Sequence, residues 1–188
     1  MNEIMAAFWA NTSPLRQSDL DWLRAQGIST ASIAHDPEEC GFLLSRALVV
    51  FDDDGGSFSF ASELPDTAAA SAFVLPARDE SGEVVDVVAW RPKEHVIAAW
   101  RRHVPMAGLQ NILAPRLGEP LPVFSNPADW LKAERHGVLV IDMAGAAIAL
   151  RDAGALAVHS RQQARHLRRA FASLTPRINV QPSQKEAA

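Results

Sequence analysis

From Gly137 onward the sequence alternates short apolar runs with longer stretches of helical periodicity, and few folds accept that rhythm. Val138-Leu139-Val140-Ile141 carries no polar residue on either side of its alternation, so both faces of such a strand must be covered. Ala144 to Ala153 follows as an alanine-rich helix stopped at Gly154, and Ala155 to Val158 reads as a second short strand. Ser160, with Gln163 three residues on, forms a capping box for a helix running to about Ser173. Arg177-Ile178-Asn179-Val180 completes the pattern as a third strand before a polar tail. The rhythm is βαβαβ, and helical crossovers of that length connect parallel strands.

The preceding part has a different character. A short helix is expected over Glu3 to Trp9, a second from a capping Ser18 to Gly27, and a third from Ser29 or Thr30 through Ile33. Ala47 to Phe51 and Ser57 to Phe60 form a hairpin around Asp52-Asp53-Asp54-Gly55-Gly56. A second hairpin joins Phe73–Ala77 to the valine-rich run from Glu83 to Trp90. Ala99 to His103 fits either continued sheet or a short helix. Residues 115 to 127 hold four prolines and read as a connection, after which Ser125 or Asn126 caps a helix through Trp130 to Glu134. The fold expected is therefore α/β: an α+β N-terminal part over 1–114, a βαβαβ parallel-sheet unit over 115–182, and a tail over 183–188.

Composition narrows the function. A single cysteine, Cys40, excludes an internal disulfide and a Cys-rich zinc site. No apolar run reaches the roughly 18–20 residues of a membrane span. The N-terminal segment carries an acid where a secretory signal needs a basic start. A cytoplasmic protein with no membrane partner is expected. Net charge is −4, but residues 1–100 hold 16 acids and 6 bases while residues 101–188 hold 6 acids and 12 bases. Five arginines and no acid lie between Arg161 and Arg177. Arg161, Arg165 and Arg168 share one outer stripe of the helix, with Arg169 beside it and Ala164, Leu167, Phe171 and Leu174 on the opposite face. Such a stripe is either a phosphate-binding surface or a solvated face.

No Walker A loop, dinucleotide fingerprint or nucleophile elbow occurs. Six histidines are scattered without the spacing of a helical zinc site. The acids at 52–54, and Asp79-Glu80 with Glu83, sit at hairpin tips, where turn geometry alone selects Asp and Gly. Cys40 follows two glutamates, which disfavour a thiolate.

Three stretches in order resemble the catalytic core of bacterial and phage-type primases. Leu23-Arg24-Ala25-Gln26-Gly27-Ile28-Ser29 with Ile33 is similar to its opening helices, and Phe73 through Val85 resembles its N-terminal hairpin. Val138–Asp142, Ala147–Leu150 and Ala153-Gly154 resemble the first strand and helix of its Toprim domain. The resemblance implies a nucleotidyl-transfer fold in which a glutamate after the first strand, an acid four residues later and a distal Asp-x-Asp pair bring Mg²⁺ to phosphates.

Here the departures matter. The glutamate position is Asp142, the following glycine is Met143, the second acid is Ala146, and Gln181-Pro182-Ser183 stand after the last strand. One shortened carboxylate cannot hold two metals, so no metal site is expected, no cofactor is expected, and Mg²⁺ would be at most an unexpected guest. Asp142 is also placed to cap the next helix. The basic ridge implied by the resemblance maps to Arg91, with Trp90 at the expected position; one residue of shift turns a strand side chain to the other face. The expectation is a non-catalytic primase-core-like protein from a phage or mobile-element setting. Single-stranded nucleic acid or a replication protein would be its partner, with Arg91, Arg161, Arg165, Arg168 and Arg169 as contacts. An interaction scaffold with no nucleic-acid role is the alternative, and an enzyme joining Asp142 to Asp79 or Glu80 is a third reading.

Overall fold

A computed structural model describes residues 2–34, 44–64, 66–113 and 118–174, and within them the chain builds two sheets that share one core, with another core on the far face of the first sheet. The elements are α1 (Glu3–Asn11), β1 (Thr12–Ser13), α2 (Gln17–Ala25), α3 (Thr30–Ala34), β2 (Ser45–Phe51), β3 (Phe58–Phe60), β4 (Ala70–Arg78), β5 (Val84–Arg91) and β6 (Val96–Ala99). They continue as β7 (Met106–Ala107), β8 (Leu121–Phe124), α4 (Pro127–Lys132), β9 (Val138–Val140), α5 (Met143–Ala149), β10 (Leu156–Val158) and α6 (Arg161–Leu174). The mixed α/β class matches the sequence reading.

The first sheet is antiparallel, ordered β1-β2-β4-β5-β6, with β3 paired to the far end of β2. Both of its faces are buried, which explains why β5 reads as a nearly continuous apolar run rather than an alternation. One face packs Val49, Val74 and Val87 with Phe58 and Phe60 against Phe8 of α1. The opposite face carries Phe73, Leu75, Val88 and Trp90 into a second core, which also holds Leu23 of α2 and Leu121, Val123, Val138 and Leu139 of the other sheet.

The second sheet is ordered β10-β8-β9-β7. β10, β8 and β9 are parallel, and β7 closes the edge antiparallel to β9. β10 lies beside β8 rather than beside β9, so the chain crosses over the first parallel strand after α5. β7 comes from the N-terminal side of residue 115, so the second sheet draws a strand from both expected parts.

The connection expected over 115 to 127 is corrected by β8, which is an inner strand of this sheet. Pro122 is tolerated there for a geometric reason. The Leu121 N–H donates to the Ala155 carbonyl, so by strand alternation the odd-numbered residues of β8 bond toward β10. The donor that Pro122 lacks would point the other way, before the first pairing of β8 with β9, Val123 with Val138. Gly137, at φ 91°, completes the fit, because a Cβ there would stand 2.3 Å from the Pro122 carbonyl oxygen.

Smaller corrections concern caps. α2 starts one residue before Ser18; the Asp19 carboxylate accepts the Arg16 N–H at 2.8 Å and closes that end. Ser29 rather than Thr30 caps α3, accepting the Ser32 N–H, and Asn126 caps α4 by accepting the Ala128 N–H. Ser160 caps α6 through the Gln163 N–H, but the Gln163 side chain does not return to it. It is buried and donates to the Val123 carbonyl at 3.0 Å, tying α6 to β8. Residues 100–102 form bends after β6 and His103 is irregular, so this stretch is neither strand nor helix. The expected strand over 177–180, the substitutions at 181–183, and the residues His35 and Cys40 lie outside the described residues.

Candidate functional site

Asp142 stands between β9 and α5, where a parallel strand hands over to a helix. Its two carboxylate oxygens are both engaged by that helix: Oδ1 accepts the Ala144 N–H at 3.1 Å and Oδ2 the Gly145 N–H at 2.8 Å. Its own N–H donates to the Pro105 carbonyl. This is N-cap geometry, with the negative charge on the helix's positive end. Ala146, where the resemblance expects a second acid, is wholly buried, so that position faces the core and not a hydrated cation.

Arg102 is a cationic group that feels the field of this end. Its Nη2 donates to both oxygens of Asp54, at 2.7 and 2.6 Å. That hydrogen bond holds the Asp54 carboxyl below the usual aspartate range, with the Gly56 N–H adding to it, and raises the arginine's own affinity for its proton. Asp52 and Asp142 add their field to Arg102. Two of the turn acids, Asp54 by hydrogen bonds and Asp52 by its field, thus act on one guanidinium. Asp52 also accepts the Ser57 hydroxyl, and Asp54 the Gly56 N–H. Asp79 is spent on its own turn, accepting the Ser81 hydroxyl and the N–H groups of Ser81 and Glu83, and the Ser81 hydroxyl is the main reason its pKa is lowered. Among the described residues no three His, Cys, Asp or Glu side chains are grouped to hold a metal ion. The five described histidines are all exposed.

The basic helix turns its arginines outward as its periodicity requires, but Ala164 is half-buried and borders the arginine stripe rather than lying opposite it. Leu167 and Gln163 are buried and Phe171 is half-buried, while Arg161, Arg165, Arg168 and Arg169 are exposed. Arg161, Arg165 and Arg168 line one shallow groove together with Ala164. Arg91 is not part of this surface. It belongs to the first sheet, pairs with Glu94 at 2.7 Å and lies over the Phe51 ring. Trp90 instead faces α2 and packs with Trp22 and Phe73, so the one-residue shift does put the two side chains on opposite faces.

Two features escaped the sequence reading. The first is Asp86, fully buried in β5. Its Oδ1 accepts the N–H groups of Val87 and Arg101, at 2.8 and 2.9 Å, and its Oδ2 accepts the His103 N–H at 2.7 Å. The signal was a lone carboxylate inside Val84-Val85-Asp86-Val87-Val88. The second is a groove of about 620 Å³ between α2 and the first sheet, walled by Trp22 and Phe73. Only the tertiary pairing of α2 with β2 and β4 creates it. No helix of the described residues is long and apolar enough to cross a membrane. No protein family, curated protein or solved structure compared with the chain matches it.

Proposed function

We propose that the chain is a non-catalytic relative of the primase Toprim core, retained to bind single-stranded nucleic acid through α6 in a phage or mobile-element setting. The observation that carries this reading is the α6 surface: four exposed arginines on a helix anchored by Leu167 and Gln163, with no ion pair to any of them among the described residues. Arginines on one short helix face supply charge without a pocket that reads base edges, so the contacts are to phosphates and tolerate any sequence. The chemistry of Asp142 is that of a cap, and the reading assigns the chain no primer synthesis and no strand cleavage.

Fluorescence anisotropy with a labelled single-stranded oligonucleotide tests it. Three or four phosphate contacts imply a loss of affinity of about 40- to 150-fold between roughly 25 and 150 mM salt. Arg165→Glu with Arg168→Glu should abolish binding and leave the fold intact, because both side chains lie away from the Leu167 face. If the double variant binds as the parent does, or the parent does not bind at low salt, the stripe is a solvated face and the interaction-scaffold reading replaces this one.

A further inference from the structure

The groove between α2 and the first sheet has the composition of a ligand site. Its volume, about 620 Å³, lies within the range of small-molecule sites. Asp19 and Trp22, one turn apart on α2, face the same way. The Trp22 indole stacks on Phe73 at 5.9 Å between ring centroids, with Trp90 beside it, yet it remains 37% exposed on the groove wall.

Among the described residues the charges lining it are arranged in pairs, with one exception. Arg46 is held by Asp19 at 3.2 Å and donates to the Ser71 hydroxyl, and both charged side chains are mostly buried. Arg91 is held by Glu94. Each of these two guanidiniums already has a carboxylate to balance its charge, so neither offers a ligand an uncompensated cation. Lys93, in the turn between β5 and β6, is exposed and makes no ion pair among the described residues. A groove with one aromatic wall and one uncompensated cation selects a ring bearing a single anionic group. Among the described residues a polyanionic strand would find only one free cation here.

We propose that this groove binds a small planar aromatic anion, such as an aryl carboxylate or aryl monophosphate, with its ring against Trp22 and its anionic group on Lys93. The proposal is independent of the α6 reading, since it involves neither those arginines nor a nucleic-acid strand.

The test uses the full chain labelled with ¹⁵N and follows the indole N–H resonances of its five tryptophans, that of Trp22 assigned through Trp22→Phe. Phenyl phosphate and indole-3-acetate are compared with phenol and indole-3-acetamide, and with inorganic phosphate and acetate. The ring anions should shift the Trp22 resonance saturably with a Kd on the order of 1 mM, as expected for ligands of about a dozen heavy atoms. The neutral rings should bind several-fold more weakly, and the ringless anions should leave Trp22 unmoved. Lys93→Glu should weaken the ring anions about tenfold while the other indole resonances stay in place. The proposal fails if no ring anion moves Trp22 saturably up to about 20 mM, if the neutral amide binds as tightly as its acid, or if Lys93→Glu binds as the parent does.

Discussion

Replacing Asp86 with alanine should remove about 3–5 kcal/mol of stability, a large share of what holds a domain of this size together. The carboxylate is wholly buried and accepts three backbone N–H groups, from Val87, Arg101 and His103, without an ion pair among the described residues. Truncation leaves those donors without their acceptor, and each buried donor so stranded costs about 1–3 kcal/mol. The simple sum is an upper bound, since the bends at 100–102 can relax and admit water. Asp86→Asn gives a sharper comparison. One side-chain oxygen still serves Val87 and Arg101, but an amide N–H₂ now confronts the His103 N–H, and about 2–3 kcal/mol should be lost. Urea unfolding followed by tryptophan fluorescence measures both; with a slope of about 2 kcal/mol/M the alanine variant's midpoint should fall by about 1.5–2.5 M. Amide exchange at Arg101 and His103 should accelerate in both variants beyond the global loss. The effect should also reach the second sheet, because residues 101–103 lead to Pro105, whose carbonyl accepts the N–H groups of Ile141 and Asp142. A loss under about 1 kcal/mol for alanine, or equal losses for alanine and asparagine, would refute the account of the carboxylate as a three-donor anchor.

Other substitutions test the remaining geometry. Asp142→Ala should cost about 0.5–2 kcal/mol and Asp142→Asn less than that but not zero, since both carboxylate oxygens cap α5 and an amide retains one; thermal melts of the two variants give the order. A stability gain from Asp142→Asn would point instead to repulsion among carboxylates. Gly137→Ala should destabilise by more than about 2 kcal/mol, because the added methyl meets the Pro122 carbonyl at 2.3 Å on a backbone of positive φ, and a soluble variant with an unchanged midpoint would contradict that fit. The Asp54–Arg102 bond should make a small, salt-screened contribution that is present above the ordinary aspartate pKa and disappears as the pH falls through the lowered one. Asp54→Asn should therefore narrow the gap in melting temperature between pH 7 and pH 3, and an unchanged gap would show that the pairing does not stabilise the folded state.

Local pattern was enough to determine most of the elements. The two hairpins, β9, the alanine-rich α5 and the amphipathic α6 all follow from periodicity, turn residues and caps that act within a few positions. The outward placement of the α6 arginines and the capping position of Asp142 were legible for the same reason. What the sequence could not show were relations between distant segments. Proline-rich residues 115–127 read as a connection because a proline's missing donor is harmless only where no neighbour needs it, and that depends on β9 starting at Val138. Gln163 matched a capping box, yet the Val123 carbonyl, 40 residues away, competed for its side chain. Asp86 looked like an interruption in a valine-rich strand until the fold brought the N–H groups of Arg101 and His103 to it. The groove beside Trp22 has no local signature, because its walls come from α2, β2, β4 and the turn after β5. Short-range sterics and hydrogen bonding determine which elements form; the placement of a buried charge, a tolerated proline or a concave surface depends on which non-local partners the two packed sheets bring into contact.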